Sequence, residues 1–468
     1  MSPSAGSPDS RHAPCGPVAV VFVYLGLGIL WTALIPVFEK PDEIHHFAYV
    51  QFMSEEWRIP TQGKETFPFL EPETQQPPLY YVFGALLYRA SLLSGVPETD
   101  LHVWEKRVIP PPKPGREFFL HPERFLDSPG LFSYDVLLVR LFSLGLGALA
   151  LVCIYKTAAQ VLQLSFWLPV LSGALVATLP QFTFITTSVS NDVMGFALGS
   201  LFIYRLVTVD SAHLSRDYLV LGVLMGLAVL VKATVLPLLP LVLLPVLRRD
   251  VTPKERVSAL GVFAAAFAAL GGWWYLRNVL LYGDFLGRQE VINPQNYAWN
   301  IDRKSLSSPY FRDFFWRRLG QSFVGRFGFM NIGMPRLFYQ VSCVLLVVSI
   351  AGLLTKGLRS VSRHRHRLRE WASAQPVLLA GSVLLGLAAL VQYNLTVSQP
   401  QGRYLFHVLA AIVCLFMMGL LELARPLKNH LPAFLMTPWA RGAAATAVVG
   451  ALVGLNLYAL FRVVLTNY

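Results

Sequence analysis

Residues 134–156, Tyr-Asp-Val-Leu-Leu-Val-Arg-Leu-Phe-Ser-Leu-Gly-Leu-Gly-Ala-Leu-Ala-Leu-Val-Cys-Ile-Tyr-Lys, decide the fold. A run of this length and apolarity crosses the ~30 Å hydrocarbon layer as a helix. Comparable runs recur at 17–38, 165–181, 190–206, 217–231, 233–247, 257–276, 336–355, 375–394, 403–423 and 440–463. Strand-like alternation is absent, which excludes a β-barrel and leaves helices. The composition agrees: 54% of the 468 residues are hydrophobic and 14% charged, where a soluble surface needs about a quarter charged. The chain reads as an all-α polytopic membrane protein with about eleven transmembrane helices.

Lysine and arginine outnumber acids 39 to 27, a net charge of +12. In a soluble protein that excess would suggest nucleic acid; here most of it lies in short loops, where it orients helices, and no nucleic-acid partner is expected. Arg205 with Arg216, then Arg248, Arg249, Lys254 and Arg256 form two clusters. Lys356, Arg359, Arg363, Arg365, Arg367 and Arg369 form a third, and Arg425 with Lys428 a fourth. All four face the cytoplasm together only if a twelfth, shorter apolar stretch, 79–95, does not cross. That stretch then lies in a long outer loop, 39–133, as a re-entrant or interfacial segment. Residues 1–16 form a cytoplasmic tail, and 17–468 a single transmembrane domain with a second outer loop at 277–335. Arg317 and Arg318 in that loop run against the rule. The first apolar run lacks a small-residue cleavage site and reads as a retained helix. Cys15, Cys153, Cys343 and Cys414 lack pairing or metal spacing and read as packing residues.

This topology gathers the chemistry-capable residues on the non-cytoplasmic side. Pro41-Asp42-Glu43-Ile44-His45-His46-Phe47 follows the first span directly. Asp42 and His46 share a helix face and Glu43 adjoins them. Phe47, Val50, Met53 and Trp57 continue along one side, as in an interfacial helix. A carboxylate beside the membrane should have a raised pKa, which suits a general base; capping of the helix is the alternative. Gln76, Tyr80 and Tyr81 surround the Pro77-Pro78 start of the 79–95 segment. Asn191 and Asp192 sit between two spans with almost no loop, Asp192 being either a helix cap or a site carboxylate. Lys232, Arg277 and Arg403 are cations at outer helix ends, against the orientation bias; snorkelling to outer headgroups is one reading of each, and as a set they suit a phosphate held at the membrane edge. Asn278, Gln401 and Tyr404 adjoin them.

These motifs, in order, resemble the GT-C class of membrane glycosyltransferases, in particular bacterial family-39-like members related to the protein O-mannosyltransferases and the aminoarabinose transferase of lipid A. The resemblance runs through Pro-Asp-Glu-x-x-His-Phe at 41–47, Gln-Pro-Pro-Leu-Tyr-Tyr at 76–81, and Leu-Pro-Gln-Phe with Ser-Asn-Asp at 179–192. It continues with Lys232, Trp-Tyr-Leu-Arg-Asn-x-x-x-Tyr-Gly-Asp at 274–284, Gly-Arg-Phe-Gly-Phe-Met-Asn at 325–331 and Gln-Gly-Arg-Tyr-Leu-Phe at 401–406. It implies hexosyl or pentosyl transfer from a polyprenyl-phosphate donor to a glycan, lipid or protein acceptor of the cell envelope, at the outer face of a cell membrane and with inversion. Asp42, with Glu43 its neighbour, would be the base, and Lys232, Arg277 and Arg403 would hold the carrier phosphate. His46, Gln76, Tyr80, Tyr81, Asn191, Asp192, Asn278, Gln401 and Tyr404 would bind substrate. Some members use a divalent cation, for which Asp42, Glu43, His46 and Asp192 could supply ligands; no metal is assigned. Gln76 and Tyr80 depart from the His and Lys around this Pro-Pro-Leu in protein mannosyltransferases. The rival reading, a transporter or flippase for a lipid-linked sugar, calls for repeat symmetry and interrupted helices at the midplane, and no repeat is visible.

Overall fold

The computed structural model describes residues 15–106, 133–163, 165–248, 250–287, 303–363, 374–426, 432 and 437–467. Residues 1–14 of the tail, 107–132 and 288–302 of the two outer loops, and Arg249, Arg365, Arg367, Arg369 and Lys428 lie outside the described residues.

The chain is a helical bundle: α1 (Cys15–Leu34), α2 (Glu43–Glu56), α3 (Leu79–Leu93), α4 (Leu101–Glu105), α5 (Tyr134–Val161), α6 (Trp167–Ala177), α7 (Pro180–Thr186), α8 (Asn191–Val207) and α9 (Leu214–Val229) come first. A 3₁₀ segment, Ala233–Val242, then runs into α10 (Leu243–Val246), followed by α11 (Pro253–Phe267) and α12 (Trp273–Tyr282). Helices Trp316–Val324, Arg336–Arg363, Gln375–Asn394, Leu409–Ala424 and Pro438–Tyr458 complete the bundle. One two-stranded hairpin, Arg326–Phe327 against Ile332–Gly333, is formed by the Gly-Arg-Phe-Gly-Phe-Met-Asn motif.

Every expected span contains helix, and among the described residues eight helices are long and apolar enough to cross alone. A ninth forms if α6 and α7 count together across their 63° bend. That bend has a local cause: Leu179 precedes Pro180 and is held extended, so α7 starts afresh. The remaining two are short. The 3₁₀ segment with α10 contains Pro237, Pro240 and Pro245, whose missing N–H groups disfavour α-helix. At about 2.0 Å per residue in 3₁₀ and 1.5 Å in α, its reach is about 26 Å.

Segment 79–95 forms the short helix α3, about 22 Å long. Val82, Phe83, Leu86, Leu87 and Leu93 are exposed along it, while Tyr80, Tyr81, Ala85 and Tyr88 are buried. It packs on α2 and α5. The reading of α2 as an interfacial helix with one apolar side needs correction. Glu43, Ile44 and every residue from His46 to Ser54 are buried, because α3 and the 57–78 loop fold over it; the helix is exposed at its C-terminal end, at Glu55, Glu56 and the following Trp57.

One end of the bundle is tied by Arg205 to Asp217 at 2.6 Å, by Arg248 Nη1 donating to the Val209 carbonyl at 2.8 Å, and by Arg359 to Glu422. The candidate site lies at the other end.

Candidate functional site

Four helix ends meet here. Asp42 precedes α2, Asp192 lies in the first turn of α8, Lys232 follows α9, and Arg403 sits in a 3₁₀ turn, Gly402–Val408, leading into Leu409–Ala424. Arg403 Nη2 donates to Asp42 Oδ2 and Lys232 Nζ to Asp192 Oδ1. Arg403 Nε stands 3.5 Å from Asp192 Oδ2. Two cations therefore face two carboxylates in one cluster, offsetting each other in charge, with Arg403 and Asp192 buried and Lys232 and Asp42 partly exposed. The Tyr404 ring completes it, with its centroid 5.3 Å from Lys232 Nζ and 5.3 Å from the Arg403 guanidinium carbon.

Backbone geometry holds these groups in place. Asp42 has φ 61°, in the left-handed region, and its side chain does not cap α2 but turns to Arg403. Such strain in a non-glycine residue persists where surroundings over-determine it. Asp192 is not the cap of α8 either: the Ser190 hydroxyl accepts from Asp192 N, freeing the carboxylate for Lys232. Gly199 lets α8 approach the turn carrying Arg403. A Cβ there would lie 2.4 Å from the His407 carbonyl oxygen.

The expectation of a raised pKa at Asp42 is overturned. Burial does push its carboxyl upward, but the Arg403 guanidinium, by charge and hydrogen bond, outweighs it and holds Asp42 at about 2. Glu43 points elsewhere, another correction. It is fully buried, its oxygens accepting from Arg140 Nε and Nη2 at 2.8 and 2.6 Å and from the backbone N–H groups of Phe38 and Val189 at 3.0 Å. Burial opposes its charge, but Arg140 keeps its pKa low. Arg140 also donates to the Thr32, Ile35 and Pro36 carbonyls at the end of α1. The pair locks α1, α2 and α5 together, and Glu43 has no spare lone pair facing the cluster.

The other expected residues divide. Tyr81 OH stands 2.8 Å from His46 Nδ1, and burial keeps His46 uncharged, near 3. Asn191 Nδ2 donates to Gln76 Oε1 at 3.1 Å. Asn191 Oδ1, Asp192 Oδ2, Arg403 Nε and Gln401 Oε1 are buried without a hydrogen-bond partner, a set of polar atoms that a polar ligand would satisfy. Tyr80 is a joint instead, its hydroxyl accepting from Ser190 N at 3.0 Å and meeting Ser143 Oγ at 2.8 Å. Asn278 donates to the Phe285 carbonyl at the end of α12, at 3.4 Å. Arg277 donates to the Pro60 carbonyl at 2.9 Å and lies over Trp274 and Tyr282, so its contacts are with the 57–63 loop rather than with the carboxylates.

Glu73 is the residue that sequence reasoning missed. Its Oε2 is buried without a hydrogen-bond partner, 3.8 Å from His46 Nδ1. Burial first, then the negative charge of Asp42, raises its pKa to about 8 against the opposing pull of Lys232 and Arg403. It is a carboxylic acid at neutral pH. Among the described residues no group of three or more His, Cys, Asp or Glu is placed to hold a metal ion.

A family model described as dolichyl-phosphate-mannose-protein mannosyltransferase matches residues 130–275. ArnT from Cupriavidus metallidurans, solved bound to undecaprenyl phosphate, is similar in structure with a TM-score of 0.50 and 14% identity, over 96% of this chain and 73% of that one. The oligosaccharyltransferase of Archaeoglobus fulgidus, in its apo form, gives a TM-score of 0.51 at 13% identity, over 96% of this chain and 56% of that one. No curated protein sequence matches. Over 130–275 the chain is similar to the mannosyltransferase family, and over nearly its whole length it shares the fold of these two solved structures.

Proposed function

We propose that the protein transfers a sugar from a polyprenyl-phosphate carrier to an acceptor, with the Asp42–Asp192–Lys232–Arg403 cluster as its centre. The observation that carries this reading is the convergence of those four charges from four separate helix ends at one end of the bundle. The opposite end carries Arg205, Arg248 and Arg359, which by charge bias would be cytoplasmic and leave the cluster on the outer face. A transporter would hold its substrate near mid-membrane, whereas these groups gather where helices begin and end.

Charge balance gives the order of events. The two cations are already neutralised, so an incoming phosphate must displace a carboxylate. Asp192 is 3% exposed at its side chain and Asp42 36%; Asp42 is the one free to yield. The phosphate takes Arg403, and Asp42, released from the guanidinium that held its pKa down, becomes more basic. The acceptor O–H or N–H attacks the anomeric carbon, its proton passing to Asp42. The bond from anomeric carbon to phosphate oxygen breaks, and its electron pair leaves with the carrier phosphate. Lys232 and Arg403 stabilise the charge gained there without reorganising. Attack opposite the leaving group inverts the anomeric centre. Glu43, held by Arg140, takes no part.

The test is transfer by the purified protein from a panel of polyprenyl-phosphate sugars, with wild type compared to Asp42→Asn. Wild type should accept at least one donor and the variant should fail to turn it over. Normal turnover by the variant would remove Asp42 as base, and transfer from no donor would remove the reading.

A further inference from the structure

The loop between α2 and α3 brings one more carboxyl group to the cluster, and its surroundings are specific. Glu73 Oε2 is buried and accepts from no donor. Around it stand His46 and Tyr49 from α2, Tyr81 from α3, Asp42, Asp192, Lys232 and Arg403. His46 Nδ1 is 3.8 Å away and engaged with Tyr81 OH. Neither cation salt-bridges Glu73: Lys232 is taken by Asp192 and Arg403 by Asp42. A buried carboxylate with no ion pair would carry an uncompensated charge, which the protonated form avoids.

Resting on the reading of the cluster as a carrier-phosphate site, we infer that Glu73 enters the site as an uncharged carboxylic acid and donates a hydrogen bond to the bound phosphate. The role is one of positioning: the proton stays on Glu73 throughout, and no bond to it forms or breaks. A carboxylate in the same place would repel the phosphate. The side chain would therefore admit the anion in its protonated form and oppose it once ionised.

The sign follows from its pKa, raised to about 8. Below that pH the acid form is present and binding is strong; as pH rises through it, binding weakens. A bound anion raises the pKa further, so binding near pH 8 takes up a proton. Glu73→Gln keeps shape and a donor but cannot ionise. Its binding should match wild type at pH 7 within about threefold and stay level to pH 9.5, where wild type should have lost about tenfold, the worth of one hydrogen bond to a charged partner. Glu73→Leu, lacking any donor, should bind about tenfold more weakly at pH 7.

The probe is undecaprenyl methyl phosphate, a phosphodiester with one fixed charge, titrated against the full-length protein in lipid nanodiscs from pH 6.5 to 9.5. Superposable wild-type and Glu73→Gln curves would overturn the inference while leaving the phosphate site standing. Absence of binding to wild type at every pH would overturn both. If Glu73→Leu does not fold, the comparison of wild type with Glu73→Gln decides alone.

Discussion

Asp42→Asn separates two roles proposed for one side chain. In the resting site Asp42 competes for Arg403, and during transfer it would accept the proton. Arg403 holds the Asp42 carboxyl down at about 2 against its ordinary 3.8, a preference for the charged, paired form on the order of 2–3 kcal/mol. The Asp42 side chain is 36% exposed, and solvent screening reduces what that pairing contributes to about 1 kcal/mol. Asparagine removes this competition, so the carrier phosphate should bind about fivefold more tightly. Loss of the base should lower kcat by about 10²–10⁴. The expected signature is a lower KM together with a far lower kcat, as when a ground-state interaction opposing the substrate is removed. Binding of undecaprenyl methyl phosphate at pH 7 gives the first quantity and steady-state transfer the second. Weaker phosphate binding by the variant would refute the exchange of carboxylate for phosphate on Arg403, whatever happens to kcat.

Glu43→Ala should destabilise the fold by about 3–5 kcal/mol, because it leaves the Arg140 guanidinium buried and unpaired. Thermal unfolding in detergent followed by tryptophan fluorescence measures this, and a wild-type melting temperature would contradict it. Adding Arg140→Leu should restore only part of the loss, since Arg140 also satisfies three carbonyls at the end of α1. Gly199→Ala should press on the His407 carbonyl, cost about 1–3 kcal/mol, and weaken phosphate binding by shifting the Arg403 turn; unchanged affinity would show that the turn adjusts freely. Lys232→Ala should reduce phosphate affinity more than Arg277→Ala, because Lys232 touches the cluster and Arg277 is tied to the Pro60 carbonyl. The reverse order would restore Arg277 to the phosphate cradle.

The bundle was legible because apolar run length reports directly on membrane crossing, and the short spans were hard because prolines change the rise per residue, which hydropathy does not register. The shared location of Asp42, Asp192, Lys232 and Arg403 was legible for a related reason. Each is a charge at the edge of an apolar run, and in a membrane protein such a position fixes depth as well as sequence neighbourhood. Counting crossings then places them at one end. The identity of each partner was not legible, because it depends on which helices pack side by side. Asp42 was expected to have a raised pKa on desolvation alone; its partner lies 361 residues further along the chain, and that partner reverses the sign.

Glu43 and Glu73 mark the limit from opposite directions. Glu43 sits inside a motif and looks functional, yet it balances Arg140. A signal for this existed: an arginine within the apolar run 134–156 needs a counter-charge, and Glu43 is an acid at the corresponding outer end. Glu73 carries no comparable signal. It lies in a polar loop with Lys64, Glu65, Glu71 and five prolines, a composition in which acids read as solvated. Only the folding of that loop over α2 buries Glu73 beside the cluster. Burial of a polar segment by its own neighbours leaves no periodicity to detect, and so the protonated carboxyl group of Glu73 emerges from packing alone.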